Sequence, residues 1–263
     1  MPLVFAAITP HPPLLIPTIG KEAVKQVEET RKAMEKLEEN LYASHPDVIF
    51  IISPHGSFFP DAFTINACPE YETDLRQFGD LATKMKIKGE VGLSYQVRMA
   101  TKRERIPATM ISEPILDHGS AVPLFYLLRH LPDITLLQFG FCALDRKKHL
   151  EFGRLLKEQI MTSNKRVAVV ASGDMSHALT TDAPAGFNPA GPEFDRKIQE
   201  LLAANNVAGI LQLDERFVSD AAECGLRSIL ILLGVLQRVN CSYRQYAYEA
   251  PFGVGYLTAE FIL

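Results

Sequence analysis

No Cys-x-x-Cys pair, basic patch or Gly/Ser-rich linker occurs in this 263-residue chain, and its apolar runs are short. Each absence removes a class of function. The four cysteines, Cys68, Cys142, Cys224 and Cys241, are widely spaced, which argues against a zinc ribbon and against a disulfide scaffold. Free thiols in a reducing cytosol are the expectation. The apolar run "SILILLGVLQ" is too short to cross a bilayer and reads as a buried helix, so no membrane partner is expected. The formal net charge is -4, and no cluster of Lys and Arg is interleaved with aromatics, which excludes nucleic acid as an expected partner. The start, "MPLVFAAITPHPP", lacks a basic n-region and does not read as a signal peptide; a cytoplasmic protein is expected. With no shift in composition to mark a boundary, residues 1–263 read as one domain.

What is present is hydrophobic patterning that alternates in kind. Residues 3–8 read as a buried strand. "GKEAVKQVEETRKAMEKLEENLYAS" has Val24, Val27, Met34, Leu37 and Leu41 near helical period and reads as an amphipathic helix. "DVIFIIS" has no polar interruption, the mark of a strand covered on both faces. Further along, "GEVGLSYQVRMATKRER", "GSAVPLFYLLRHL" and "RKKHLEFGRLLKEQIMTS" read as helices, alternating with strands at 107–111, "DITLLQFGF" and "KRVAVVASGD". A helix-rich segment is expected over about 192–238. "SYRQYAYEA" and "VGYLTAEFIL" close the chain as a hairpin through Pro-Phe-Gly. The expected class is α/β, with a mixed, mostly parallel central sheet flanked by helices on both faces.

Ligands of such sheets bind beyond the carboxyl ends of the strands. Two apolar runs end in Pro-His: "ITPHPPLLIP" places His11, and "IFIISPHGSFFPD" places His55. Proline fixes the backbone before each ring. Glu113, Asp117 and His118 follow the strand at 107–111, and Asp174 and His177 follow the strand at 165–172. Asp174 is a candidate for substrate binding, for orienting a loop or histidine, or for capping the turn that follows. Glu223, in "SDAAECGLRS", sits where a helical period begins and shares a stripe with Leu226 and Leu230. A carboxylate on an apolar stripe needs a charged partner; a metal and the nearby Arg227 both qualify. Two histidines and one carboxylate suit an Fe(II) triad that leaves positions open for a chelating substrate and dioxygen. They equally suit a catalytic zinc. "SFFPDAF" and Phe187 are candidate aromatic walls for a pocket.

Together, "TPHPPLLIP", "ISPHGSFFPD", "DHGSAVPLFYL", "ASGDMSHAL" and "ECGLRS" resemble the class III extradiol ring-cleavage dioxygenases, the superfamily of the protocatechuate 4,5-dioxygenase catalytic subunit and of the Memo-type proteins. The resemblance runs over nearly the whole chain and keeps the family's motif order. It implies that His11 and His55 ligate a metal, that Glu223 lies in the region of the ligating glutamate, that His177 is the acid–base histidine and that His118 contacts substrate. Memo-type relatives carry a cysteine in a similar Cys-Gly context, and here Glu223 and Cys224 are adjacent. The third ligand is therefore open between them.

The implied activity is Fe(II)-dependent extradiol cleavage of a catechol- or aminophenol-type ring with O2, as in the catabolism of aromatic compounds. His177 would act first as base and then as acid, which an imidazole with a pKa near ~6.5 can do. A homodimer or larger homo-oligomer is the implied assembly. Two rivals stand beside this reading: a Memo-like metal-binding protein without ring cleavage, and a zinc hydrolase.

Overall fold

The computed structural model describes residues 2–263. Strand β1 (Leu3–Thr9) leads through α1 (Pro17–Gly20) and a 3-10 segment (Lys21–Val27) into α2 (Glu28–Ala43) and then β2 (Val48–Ser53). Next come β3 (Phe63–Asn66), β4 (Glu70–Thr73), β5 (Lys86–Gly89), α3 (Val91–Glu104), β6 (Ala108–Ile111), β7 (Ile115–Leu116) and α4 (His118–Leu127). The second half holds β8 (Thr135–Gly140), α5 (Arg146–Thr162), β9 (Val167–Ser172), α6 (Ala190–Ala203), α7 (Val207–Leu211), α8 (Glu215–Asp220), α9 (Leu226–Val235), β10 (Ser242–Glu249) and β11 (Tyr256–Ile262).

The sheet runs β10-β11-β1-β9-β2-β8-β5-β4-β7, with β3 joined to the carboxyl end of β8 and β6 joined to β3. At its centre β1, β9, β2 and β8 are parallel. Their residues are almost all buried, as expected where helices cover both faces of a parallel sheet. Side chains alternate between two core layers with the strand period of two. In β2, Phe50 and Ile52 enter one layer, with Phe152 of α5 and Ile231 of α9. Ile49 and Ile51 enter the other, with Leu37 of α2 and Leu124 of α4. The class is α/β with a mixed, mostly parallel sheet.

Three features depart from the sequence reading. The first helix does not run unbroken from Gly20: its opening turns are 3-10, with Lys21 at φ 47°. Residues 57–89, which carry no clear period, contribute β3, β4 and β5, four residues each. Strands this short hold too few alternations to be recognised locally and depend on their neighbours for pairing. The last apolar helix begins at Leu226, not near Glu223. The closing hairpin is formed as expected, with a register shift between Gln245 and Ala247.

Candidate metal centre

The order β1-β9-β2 decides the site. Three adjacent parallel strands end at Thr9, Ser172 and Ser53, so the segments that follow share one sheet edge. The Nε2 atoms of His11 and His55 lie 3.0 Å apart, with the rings at 89°. His118, the first residue of α4, joins them: ligand atoms of His11, His55 and His118 all lie within 4.8 Å of one another.

The support for His11 fixes its tautomer. Its Nδ1 is 2.9 Å from Ser172 Oγ, and that hydroxyl spends its own proton on the Gly119 carbonyl, 2.5 Å away. Ser172 must therefore accept, so Nδ1 carries the hydrogen and Nε2 presents a lone pair toward His55. Asp174 holds the same loop: its Oδ1 accepts from the His11 backbone N–H at 2.8 Å, and Oδ2 is 3.8 Å from His11 Nε2. His177 is fixed likewise, because its Nδ1 lies 2.7 Å from the Ala222 carbonyl, which can only accept. Its Nε2 is left free for a proton.

Burial lowers the pKa of all four imidazoles. His11 falls well below its ordinary value, first by burial and then by the like charges that His55, His118 and His177 would carry. His55 is pushed down to about 4, chiefly by desolvation with His118 adding to the effect, although the residue itself is exposed at the cleft. These rings are neutral at ordinary pH. Two neutral donors 3.0 Å apart suit a divalent metal, since bonds of roughly 2.0–2.1 Å place neighbouring nitrogens about 3.0–3.4 Å apart. His118 is disposed differently. Its ring stacks on His55, with centroids 4.2 Å apart and planes at 23°, and the edge of Phe78 meets it at 5.2 Å. Imidazole lone pairs lie in the ring plane, so stacked rings do not aim at one ion.

The sequence-expected residues do not all converge. His11, His55, His118 and Asp174 do, and His177 is near enough for its charge to depress both His11 and His55. The structure does not bring Glu223 into this group. Its Oε2 accepts from the Leu226 backbone N–H at 2.6 Å, and it lines a separate cavity with Arg146 and Arg227. Burial raises its pKa to about 7. Glu223 lies in the turn before α9, where helical spacing does not govern side-chain direction. Cys224 faces the histidines instead, with Sγ 3.7 Å from His11 Nε2 and 3.3 Å from the Asp174 backbone N. Close backbone contact makes this possible: a Cβ on Gly173 would lie 2.1 Å from Gly225 Cα. Burial raises the Cys224 thiol well above its ordinary pKa and raises Asp174 to about 7.

A cleft of about 610 Å³ opens beside His55, lined by polar groups including Arg76, Glu113, Asp117 and Gln138. None of the expected aromatic walls from "SFFPDAF" and Phe187 lines it: Phe58 and Phe187 are exposed, and Phe63 is buried in the core. The sequence reading left the network under His55 unassigned. Asp117 caps α4 through Ser120 N, accepts from Ser53 Oγ at 2.5 Å, and accepts from Gln138 Nε2 at 2.6 Å. Gly119 is required there, since a Cβ would come within 2.5 Å of Ser53 Oγ and 3.2 Å of the His55 ring. The Asp-x-x-Ser capping pattern of "DHGS" is the signal that points to it.

A parallel-sheet edge carrying paired imidazoles, one of them beside a polar cleft, is what this α/β fold presents. The model of the family described as "Catalytic LigB subunit of aromatic ring-opening dioxygenase" matches residues 5–259, and the chain belongs to this family. It is 31% identical over 258 residues to Protein CA_C1420 of Clostridium acetobutylicum, covering 95% of this chain and 55% of that protein; the chain thus spans about half that relative's length. It is 21% identical to the 2-aminophenol 1,6-dioxygenase beta subunit of a Pseudomonas species, over 97% of this chain and 92% of the relative. The crystal structure of the uncharacterized protein JW3007 from Escherichia coli K12 shares the fold, with a TM-score of 0.64 at 17% identity, covering 98% and 99% of the two chains.

Proposed function

We propose that this chain is a non-haem, Fe(II)-dependent extradiol dioxygenase that opens a catechol- or aminophenol-type ring with O2. The observation that carries the reading is the His11–His55 pair, two neutral Nε2 donors 3.0 Å apart beside a cleft of about 610 Å³, within the usual range for small-ligand pockets. Membership of the ring-opening family supports it. His11 and His55 would hold the metal, and the third donor would come from the side where Asp174 and Cys224 lie. When bound, the metal supplies a template for adjacent ring heteroatoms and dioxygen and a route for electrons between them.

The chain's own groups supply the rest. His177 takes a hydroxyl proton on Nε2 while Nδ1 stays bonded to Ala222 O, and it returns the proton as the ring opens. His118, stacked on His55, would contact a hydroxyl or amine of a substrate held at the metal. Ser172 and Asp174 keep His11 aimed. The test is oxygen uptake by anaerobically purified, Fe(II)-loaded protein given catechol and 2-aminophenol. Uptake with a ring-opened product is the expected result; full metal occupancy without uptake overturns the dioxygenase reading.

A second reading rests on Cys224, whose Sγ is 3.7 Å from His11 Nε2. A thiolate in the ligand set favours zinc or another thiophilic metal. That would give a Memo-like metal-binding protein without ring cleavage. Retained zinc and absent oxygen uptake would select it.

A further inference from the structure

On the far side of the turn that carries Cys224 lies a cavity of about 480 Å³, distinct from the cleft beside His55. Arg146 and Arg227 both line it, and both are half-buried. Among the described residues neither guanidinium forms an ion pair. Arg146 donates to the Leu213 carbonyl. Arg227 lies 5.7 Å over the Phe141 ring, and its Nε is buried without a hydrogen-bond partner. A buried guanidinium nitrogen without an acceptor is unfavourable, and arginines are seldom taken out of water unpaired.

Three carboxylates also line this cavity, Asp145, Glu215 and Glu223, and among the described residues none of them contacts a guanidinium. Asp145 caps α5, accepting from Lys148 N at 3.0 Å. Glu223 accepts from Leu226 N at the start of α9. Each therefore compensates the positive end of its helix. Glu215 is exposed at the start of α8. The Glu223 charge reaches both guanidiniums through space, but among the described residues none of the three carboxylates forms an ion-pair contact with either, which leaves their hydrogen-bonding forks open to a ligand.

We propose that this cavity is a second ligand site, separate from the histidine cluster, which takes a small oxyanion: the carboxylate or phosphate group of a small molecule gripped by Arg146 and Arg227. Guanidinium forks match planar carboxylate and phosphate oxygens. The site shares a wall with the metal centre, since Ala222 lines the cavity while its carbonyl accepts from His177.

The experiment is calorimetric titration of the full metal-loaded chain with inorganic phosphate and, separately, with malonate, at ionic strength fixed with NaCl. Saturable binding of at least one anion is expected, and which one binds identifies the source of the oxyanion. Arg146→Met should weaken it at least ~10-fold, as for loss of a charge-assisted contact, while the His11→Ala chain, titrated without metal, binds it as tightly as the metal-loaded natural chain. Arg227→Lys, which keeps the charge if Arg227→Met does not fold, should bind more weakly than the natural chain. No saturable heat with either anion overturns the proposal. So does unchanged binding by Arg146→Met, or loss of binding in His11→Ala, which would place the anion on the metal.

Discussion

Two buried histidines in this molecule look alike in isolation and behave differently in context. His11 sits at the sheet edge and His149 in the layer between α5 and the sheet. Both are almost fully buried. Both donate from Nδ1 to a fixed oxygen, Ser172 Oγ for His11 and the Asp145 carbonyl, 2.9 Å away, for His149. Burial lowers the pKa of both. The difference is what Nε2 faces. His149 Nε2 has no partner, and its ring lies against Phe63 and Phe141. His11 Nε2 faces the Nε2 of a second imidazole at 3.0 Å. Burial and a depressed pKa are common to both rings; convergence of donors sets His11 apart.

The sharpest way to break this comparison is to remove each ring. His11→Ala should drop the metal content of anaerobically purified protein from about one per chain, as expected for a single triad, to near zero. His149→Ala should keep the metal and lose stability, by roughly 2–4 kcal/mol through cavity formation. Metal analysis with thermal unfolding checks both; equal metal loss in the two variants would erase the distinction.

A second test concerns His177, fixed by Ala222 O and free at Nε2. His177→Phe should retain metal while turnover falls on the order of 10²- to 10⁴-fold, the usual effect of removing an acid–base group. Loss of metal in this variant would place His177 among the ligands.

The adjacent pair Glu223 and Cys224 extends the contrast to neighbours in sequence. Cys224→Ser should weaken metal binding on the order of 100-fold or less, the range for groups that tune a metal site. Glu223→Ala should leave it unchanged, because that carboxylate is committed to Leu226 N. If the thiol ligates, binding at neutral pH should release about one proton, since burial keeps the free thiol protonated and a ligating cysteine must ionise. Metal loss on changing Glu223 alone would reverse this placement.

The smallest effect expected is a pH dependence. Burial lowers His149 to about 4 from an ordinary 6.5, with the Asp145 carbonyl opposing the shift. Between these values the unfolded chain binds the proton and the folded chain does not. The His149 contribution is therefore fully present above pH 6.5 and is lost as pH falls through about 4. Denaturant unfolding from pH 7 to pH 4 should show this loss. His149→Phe should be less sensitive to pH over that interval, and an unchanged slope would assign the effect elsewhere.

The gathering of histidines at one sheet edge was legible in the sequence. Pro-His after an apolar run marks His11 and His55 because proline restricts the backbone just where a parallel strand ends. His118 and His177 follow strands in the same way. The expected helix start near Glu223 misled, since an apolar stripe in the sequence extends past the true start of α9 at Leu226. The supporting groups Ser53, Gln138 and Ser172 carry little signal of their own, because each acts through a partner more than 15 residues away.

By itself, the sequence determined the alternation of strands and helices, the absence of cysteine pairs and linkers, and the polar residues at strand ends. These are local properties, set by side-chain periodicity and backbone restriction within a few residues. Only the tertiary structure decided that β9 lies between β1 and β2, which brings Asp174 and Ser172 against His11. It also decided that Cys224, and not Glu223, turns toward the histidines, through the glycine contact between residues 173 and 225. The direction of a side chain in a turn depends on backbone packing between segments some fifty residues apart, and no local pattern encodes that.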